Sequence, residues 1–173
     1  SGKSTLARGL APCVGRVPGA VVLRTDEIRK RLCGVAPLDR LGAEAYLATV
    51  SREVYATATS LARSVVRAGH SVIVDAVFAD VGERAAIARV AADASVPFAG
   101  LWLDAPGSIL TDRAQRRERD ASDATADVVR MQLAKGAGAL EWRRIDASAS
   151  ASAVLQNTLV DFANTQIPTR PLE

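Results

Sequence analysis

The segment Ser1-Gly-Lys-Ser-Thr-Leu6 carries the strongest structural signal in the sequence. It matches the second half of the phosphate-binding pattern G-x-x-x-x-G-K-[ST], in which a strand leads through a glycine-rich loop into a helix. Apolar residues at helical spacing follow it and predict that the loop does open a helix. The first glycine of the pattern, its spacer and the preceding strand would lie upstream of Ser1. The alternative is a polar terminal stretch whose residues match this pattern by chance.

Each residue type in this segment suits the binding of a nucleotide phosphate. A glycine lets the backbone approach phosphate closely, and amide groups at a helix N-terminus favour an anion. Lys3 would contact the β- and γ-phosphates, and the Ser4 hydroxyl would bind Mg²⁺. The sequence therefore predicts that Ser1, Gly2, Lys3, Ser4 and Thr5 bind ATP with Mg²⁺. Lys3 is in addition a candidate catalytic residue, and Ser4 a candidate metal ligand.

Strand and helix patterns alternate along the rest of the chain. The predicted strands cover residues 20–23, 71–75, 97–103 and 142–146. The predicted helices cover residues 4–14, 26–32, 44–68, 82–93, 106–119, 123–135 and 150–164. Such alternation predicts an α/β fold with three layers, in which helices cover both faces of a parallel sheet. Ligands in such folds bind beyond the carboxyl ends of the strands, where the polar residues of interest fall.

Composition limits the protein to a few classes. The 173 residues are 49% hydrophobic and only 4% aromatic, which predicts one domain with an aliphatic core. The net charge of +3 does not favour a nucleic-acid partner. No apolar run approaches the ~20 residues of a membrane span, so no membrane partner is expected. Cys13 and Cys33 lack metal-type spacing, and we expect small buried thiols in a reducing, cytoplasmic setting.

A second candidate site follows the first visible strand. Asp26 comes at the strand end, near the expected position of the γ-phosphate, where a carboxylate can accept the proton of an attacking hydroxyl. Arg29 lies one helical turn further on and would contact an anionic or polar substrate. The structural alternative is an Asp26 that caps the helix and an Arg29 that is solvated.

A third candidate is Asp75, which ends the strand predicted over residues 71–75. A carboxylate at that place in a phosphate-binding fold commonly lies near Mg²⁺, so Asp75 is predicted as a metal ligand together with Ser4. The alternative is that Asp75 caps the next loop. The loop after the last strand, at Asp146, is a weaker candidate for contact with the adenine ring.

Four arginines lie on and after the helix predicted over residues 106–119. Three of them share a helix face at three- and four-residue spacing: Arg113, Arg116 and Arg117. Arginines that close over a transferred phosphate stabilise the negative charge on its oxygens. We therefore predict a lid over residues 106–136, with Arg113 and Arg117 catalytic and Arg116 on the nucleotide. The alternative is a solvated basic helix.

The order of these motifs resembles that of the small P-loop kinases with AAA-type ATP-binding domains, among them polynucleotide 5′-hydroxyl kinases, gluconate kinases and zeta-toxin kinases. The chain is most similar to the ATP-binding domain that follows an aminoglycoside-phosphotransferase-like domain in bacterial fused proteins. The matching stretches are Val22-Leu-Arg-Thr-Asp-Glu-Ile-Arg-Lys-Arg-Leu32, Gly69-His-Ser-Val-Ile-Val-Asp-Ala-Val-Phe78 and Asp120-Ala-Ser-Asp-Ala124.

The resemblance implies a P-loop fold of five parallel strands whose central first strand is missing from this chain. It implies one kinase-like domain over residues 1–165, with a loose tail over 166–173. It further implies Asp26 as the base, Arg29 as a substrate contact, and Arg113 with Arg117 as lid arginines. Apolar residues follow Asp75 where polynucleotide kinases usually have polar ones.

The sequence thus favours an ATP-dependent kinase that transfers the γ-phosphate of Mg·ATP to a hydroxyl of a small molecule. An upstream fused domain is expected in the full-length protein. One alternative is an ATP-binding or ATP-hydrolysing module that serves such a fused domain and has no kinase substrate. The other is a polynucleotide 5′-hydroxyl kinase, which the modest net charge does not favour.

Overall fold

A computed structural model describes residues 2–115, 140–164 and Ile167 of the chain. The helices are α1 Lys3–Leu10, α2 Thr25–Leu32, α3 Ala48–Arg67, α4 Val81–Asp93, α5 Gly107–Gln115 and α6 Ala151–Asn164. The strands are β1 Val21–Arg24, β2 Val72–Asp75, β3 Leu101–Asp104 and β4 Arg143–Asp146. Short 3₁₀ turns cover Ala11–Cys13 and Ala43–Tyr46.

The strands form two parallel pairs. β1 pairs with β2 in a register that sets Arg24 opposite Asp75, and β3 pairs with β4 so that Asp104 faces Asp146. The carboxyl ends within each pair therefore lie side by side, as parallel pairing requires. The predicted α/β fold with parallel strands is confirmed.

Helices cover both faces of the first strand pair. α1 contacts β1 and β2 from one side, and α3 contacts the same two strands from the other. α1 also packs on α6, whereas α3 packs between α2 and α4. The arrangement is the predicted three-layer order of helix, sheet and helix.

An apolar cavity of about 420 Å³ lies between the two strand pairs. Side chains of both β2 and β3 line it, among them Ile73, Val74, Leu101 and Leu103. In the described part of the chain, neither of these strands is hydrogen-bonded to the other.

Several element boundaries differ from the sequence prediction. α3 begins at Ala48 rather than at residue 44, because residues 43–46 turn as a 3₁₀ helix after Gly42. β3 begins at Leu101 rather than at Pro97, whose nitrogen has no hydrogen to donate to a strand ladder. α1 ends at Leu10 because a 3₁₀ turn containing a proline follows it.

α2 begins one residue earlier than predicted, so Asp26 is not its N-cap. Arg24 holds the N-cap position without a side-chain capping bond, and Asp26 lies in the first turn. A carboxylate there is still favoured by the positive end of the helix dipole. The helix predicted over 123–135, the tail over 166–173 and most of the predicted lid lie outside the described residues.

Aliphatic side chains form the core, as composition predicts. One cluster joins α1, β4 and α6 through Leu6, Ile145 and Phe162. A second joins α2 to α3 through Ile28, Val54 and Ala58. Leu6 and Val54 lie on helices that flank the site, so these clusters fix the position of α1 and α2 relative to the strands.

Val54→Ala tests the second cluster, because the Val54 side chain is 0% exposed. The lost methyl groups and the cavity they leave should lower the free energy of unfolding by about 2 kcal/mol. Val160→Ala is the control, since Val160 is 59% exposed on α6, and it should change stability by less than about 0.5 kcal/mol. Urea denaturation of both variants measures the difference. Equal losses would contradict this assignment of the core.

Candidate phosphate-binding and metal site

The backbone at Gly2 turns into α1 through a left-handed conformation. Its φ is +88°, and a Cβ there would meet no atom within 4 Å, so glycine is required for conformation rather than for space. The first amides of α1 follow directly, with Lys3 and Ser4 half-buried and Thr5 exposed. The loop-to-helix geometry that the motif predicts is present, although Ser1 itself lies outside the described residues.

Ser4 and Asp75, the two predicted metal ligands, contact each other. The Ser4 hydroxyl donates to Asp75 Oδ2 at 2.5 Å, across 71 positions of sequence. Thr25 joins them through its hydroxyl, which donates to the Asp75 backbone carbonyl at 3.3 Å. The start of α1 and the carboxyl ends of β1 and β2 therefore meet at one point.

Arg24 completes this cluster, and sequence reasoning missed it. Its Nη2 donates to Ser4 Oγ at 3.1 Å and its Nε to Asp75 Oδ2 at 3.3 Å. Its Nη1 forms an ion pair with Glu27 at 3.0 Å. The Arg24 and Asp75 side chains are only 7% and 5% exposed. The sequence does show a charged residue at the end of a strand. That this residue lies opposite Asp75 follows only from the pairing register of β1 with β2.

The oxygen donors of this cluster fit Mg²⁺. A serine hydroxyl and a carboxylate are hard ligands of the kind that Mg²⁺ prefers, with water and phosphate oxygens completing its octahedron. Within residues 2–115 and 140–164, no group of three or more His, Cys, Asp or Glu side chains could hold a metal. Water and phosphate oxygens would supply the further ligands of a cation at Ser4 and Asp75.

Asp26 and Lys3 lie at the same edge of the sheet. Asp26 is half-buried in the first turn of α2, two residues beyond Arg24, and Lys3 is the first residue of α1. Lys3 directly precedes Ser4 in the chain, and Asp26 directly follows Thr25, whose hydroxyl donates to the Asp75 carbonyl. Their catalytic roles stay predictions.

Arg29 is buried and bonded to the protein. Its Nη1 donates to the Ala45 carbonyl at 2.6 Å and to Ser51 Oγ at 3.3 Å. The guanidinium carbon lies 4.9 Å from the centre of the Tyr46 ring. Arg29 thereby holds the 3₁₀ turn Ala43–Tyr46 against the start of α3. Its contact with a substrate stays a prediction.

Arg113 holds the loop that follows β4. Its guanidinium donates to the carbonyls of Ala147 at 2.6 Å, Ser148 at 3.4 Å and Ala149 at 2.9 Å. Asp146 bonds the same loop by accepting from the amide and the hydroxyl of Ser148, and these bonds hold the pKa of Asp146 below its ordinary value. The other predicted lid arginines, Arg116 and Arg117, lie outside the described residues.

The loop after Asp75 is held by two residues that sequence reasoning missed. Phe78 has a left-handed backbone, with φ of +49°, and its amide donates to the Tyr55 hydroxyl at 3.0 Å. The buried Arg84 donates to the carbonyls of Phe78 at 2.6 Å and Ala79 at 3.1 Å. These bonds fix the path of the chain just beyond the Asp75 carboxylate.

The fold and the site together define a P-loop nucleotide-binding domain. A family model described as "AAA domain" matches residues 1–138, and the chain belongs to that family. The family model and the structural neighbours agree with the P-loop kinase resemblance that the sequence predicts. No helix of the described residues is long and apolar enough to cross a membrane.

Relatives by sequence occur in mycobacteria. Uncharacterized proteins of Mycobacterium bovis and of Mycobacterium tuberculosis are each 37% identical to this chain over 150 residues. The match covers 84% of this chain and 29% of each relative. The chain thus spans less than a third of the length of these relatives.

Solved structures show the same fold at low sequence identity. A gluconokinase from Sinorhizobium meliloti has a TM-score of 0.62 at 17% identity, over 95% of this chain and 86% of its own. A tunicamycin resistance protein of Deinococcus radiodurans has a TM-score of 0.58 at 16% identity, over 97% and 93%. A sugar kinase from Janibacter has a TM-score of 0.58 at 19% identity, over 95% and 90%.

Tyr55→Phe tests the bond that holds the loop beyond Asp75. Burial raises the pKa of Tyr55 above its ordinary value of 10.0, and the nearby Glu83 carboxylate adds to this effect. The neutral phenol therefore stabilises the fold fully below pH 10, and this contribution is lost as the pH rises, because the unfolded chain releases the proton first. At pH 8 the variant should lose about 1–2 kcal/mol, since the Phe78 amide loses its acceptor.

Urea denaturation at pH 8 and pH 11 measures both effects. The wild-type protein should lose more stability between the two pH values than Tyr55→Phe does. Tyr46→Phe is the matched control, because Tyr46 is 45% exposed, and it should keep the wild-type pH dependence. A Tyr55→Phe variant as sensitive to alkaline pH as the wild type would contradict this account.

Proposed function

We propose that the chain is the ATP-binding domain of a phosphotransferase that moves the γ-phosphate of Mg·ATP to a hydroxyl of a small molecule. The observation that supports this most directly is the contact of Ser4 with Asp75 beside the first turn of α1. A phosphate cradle and a pair of hard oxygen ligands at one point are the requirements for holding Mg·ATP.

The site residues that the sequence predicts have the following roles in this proposal. Amides at the start of α1 and the Lys3 ammonium hold the β- and γ-phosphates. Ser4 and Asp75 hold Mg²⁺, which neutralises charge on the phosphate oxygens when bound. Asp26 accepts the proton of the acceptor hydroxyl from the first turn of α2. Arg117, which lies outside the described residues, keeps its predicted role as the lid arginine for the transferred phosphate.

The proposed ligand contacts of Arg29 and Arg113 must be compatible with the bonds that both side chains make within the protein. Both guanidinium groups donate to backbone carbonyls of this chain, Arg29 to Ala45 and Arg113 to Ala147. Since a guanidinium carries five donors, each arginine can keep these bonds and still offer an N–H group to a ligand. On this proposal Arg29 contacts the acceptor, and Arg113 holds the loop beside the adenine while it faces the phosphates.

An ATP-hydrolysing module without a kinase substrate is the second candidate. Two observations favour it: the chain spans 29% of its mycobacterial relatives, and both arginines proposed to contact ligands are bonded to the protein. In that case a further domain, of the aminoglycoside-phosphotransferase type that the resemblance implies, would use the nucleotide state. A polynucleotide acceptor is less favoured, because the net charge is only +3 and Phe78 packs into the core.

Asp26→Asn in the full-length protein tests the kinase proposal. Phosphate transfer from γ-labelled ATP to a panel of sugars and aminoglycosides should fall on the order of 100-fold or more, because the acceptor hydroxyl loses its base. The Kd of Mg·ATP should change less than about twofold, since Asp26 is not proposed to hold the nucleotide. Glu53→Gln, an exposed change on α3, is the control and should leave both quantities unchanged.

Two outcomes would contradict the kinase proposal. If Asp26→Asn transferred phosphate at the wild-type rate, Asp26 would not be the base of the reaction. A wild-type protein that binds Mg·ATP but whose ATP turnover no hydroxyl acceptor accelerates would favour the second candidate instead.

A further inference from the structure

Arg24 occupies an unusual place for a cation in a predicted metal site. Its guanidinium contacts both predicted ligands, with Nη2 at 3.1 Å from Ser4 Oγ and Nε at 3.3 Å from Asp75 Oδ2. The sequence motifs assign it no role, and none of the steps proposed above uses it. Its position follows from the register of β1 with β2, which sets Arg24 opposite Asp75.

Burial makes the contact of Arg24 with Asp75 energetically significant. The Asp75 side chain is 5% exposed and the Arg24 side chain 7%. A buried carboxylate without a partner is costly, so Arg24 supplies the positive charge that Asp75 requires when no metal is bound. A guanidinium keeps its charge at any pH at which the protein folds, so Arg24 cannot become neutral to make room for a metal.

A metal at Ser4 and Asp75 would lie close to this fixed charge. Mg²⁺ binds oxygen at about 2.1 Å, and Arg24 is within hydrogen-bond distance of both oxygens concerned. The two cations would therefore repel each other across a few ångströms of buried space. Either Arg24 moves away from Asp75 when the metal binds, or the metal binds more weakly than it would without Arg24.

Glu27 is a second anionic partner of Arg24, which Arg24 contacts at the same time as Ser4 and Asp75. Its carboxylate lies 3.0 Å from Arg24 Nη1, in the first turn of α2, and its side chain is 49% exposed. A guanidinium that turns toward Glu27 leaves Asp75 while keeping an ionic partner. Arg24 thus has one anionic partner inside the metal site and another at its rim.

We propose that Arg24 is an internal counter-cation of the Ser4–Asp75 pair, which competes with the divalent cation and is drawn to Glu27 when the metal binds. In this role Arg24 is a positioning residue that keeps Ser4 and Asp75 together before a metal binds and lowers the affinity of the pair for metal. The inference rests on the proposed function, because that proposal assigns Ser4 and Asp75 to Mg²⁺.

Binding of Mn²⁺ to the full-length protein, with a non-hydrolysable ATP analogue present, tests the competition. Electron paramagnetic resonance of free Mn²⁺, corrected by a protein-free titration for the Mn²⁺ that the analogue binds, gives the Kd without a measurement of activity. Arg24→Gln should bind Mn²⁺ at least fivefold more tightly than the wild type. Arg31→Gln, an exposed change of the same charge on the following helix α2, should leave the Kd within about twofold.

For a second variant the proposal predicts the opposite change in Mn²⁺ affinity. This variant leaves the buried contact of Arg24 with Asp75 in place. Glu27→Gln removes the outer partner of Arg24, so Mn²⁺ should bind at least twofold more weakly. In the Arg24→Gln background the same change at Glu27 should have a smaller effect, because the coupling acts through Arg24. An equal effect of Glu27→Gln in both backgrounds would overturn the proposed role of Glu27.

Thermal unfolding of the metal-free protein is an independent test of the role of Arg24. Arg24→Gln should lower the Tm of the metal-free protein, and saturating Mn²⁺ with the analogue should restore most of that loss. A folded Arg24→Gln variant with a wild-type or weaker Mn²⁺ affinity would overturn the inference. Failure of the wild-type protein to bind Mn²⁺ with the analogue, or retention of Mn²⁺ binding by Asp75→Asn, would instead remove the metal site of the proposed function.

Discussion

The buried carboxylate of Asp75 is the point on which the arrangement of this site depends. It accepts from Ser4 on α1 and from Arg24 on β1, and its backbone carbonyl accepts from Thr25 at the start of α2. Three elements distant in sequence are thereby tied to the end of β2. A carboxylate this buried requires donors around it, so the need to satisfy Asp75 brings the phosphate loop and the ends of both strands together.

Basic side chains hold several loops in the same way, by donating to backbone carbonyls. Arg29 donates to a carbonyl in the turn before α3, and Arg84 to two carbonyls in the loop after β2. Lys30, only 1% exposed, donates to the carbonyls of Pro37 and Asp39, and Arg113 to three carbonyls after β4. Each cation satisfies backbone oxygens that a loop cannot pair within itself. These four basic residues therefore stabilise the loops to which they are bonded.

Local patterns predicted the parts of the site that depend on neighbouring residues. Gly2, Lys3 and Ser4 form a motif whose spacing requires a loop followed by a helix, and Asp75 ends an apolar run that is recognisable as a buried strand. Arg24 and Arg84 could not be found in this way. Their partners are a carboxylate 51 positions away and the carbonyl of a loop residue with positive φ. Charge and spacing alone do not distinguish such residues from solvated ones.

The sequence predicts a substrate contact for Arg29, and the structure shows bonds of Arg29 to the protein. Its spacing from Asp26 places both residues near one face of α2, and that pattern fits a substrate contact and a structural bond equally well. What the sequence could not supply was the 3₁₀ turn at Ala43–Tyr46, which begins after Gly42 and brings the Ala45 carbonyl and the Tyr46 ring to the guanidinium. An arginine fixed on two sides loses little conformational entropy when a ligand approaches a remaining N–H. On the kinase proposal, these bonds hold the Arg29 side chain in one orientation and leave an N–H group for the acceptor.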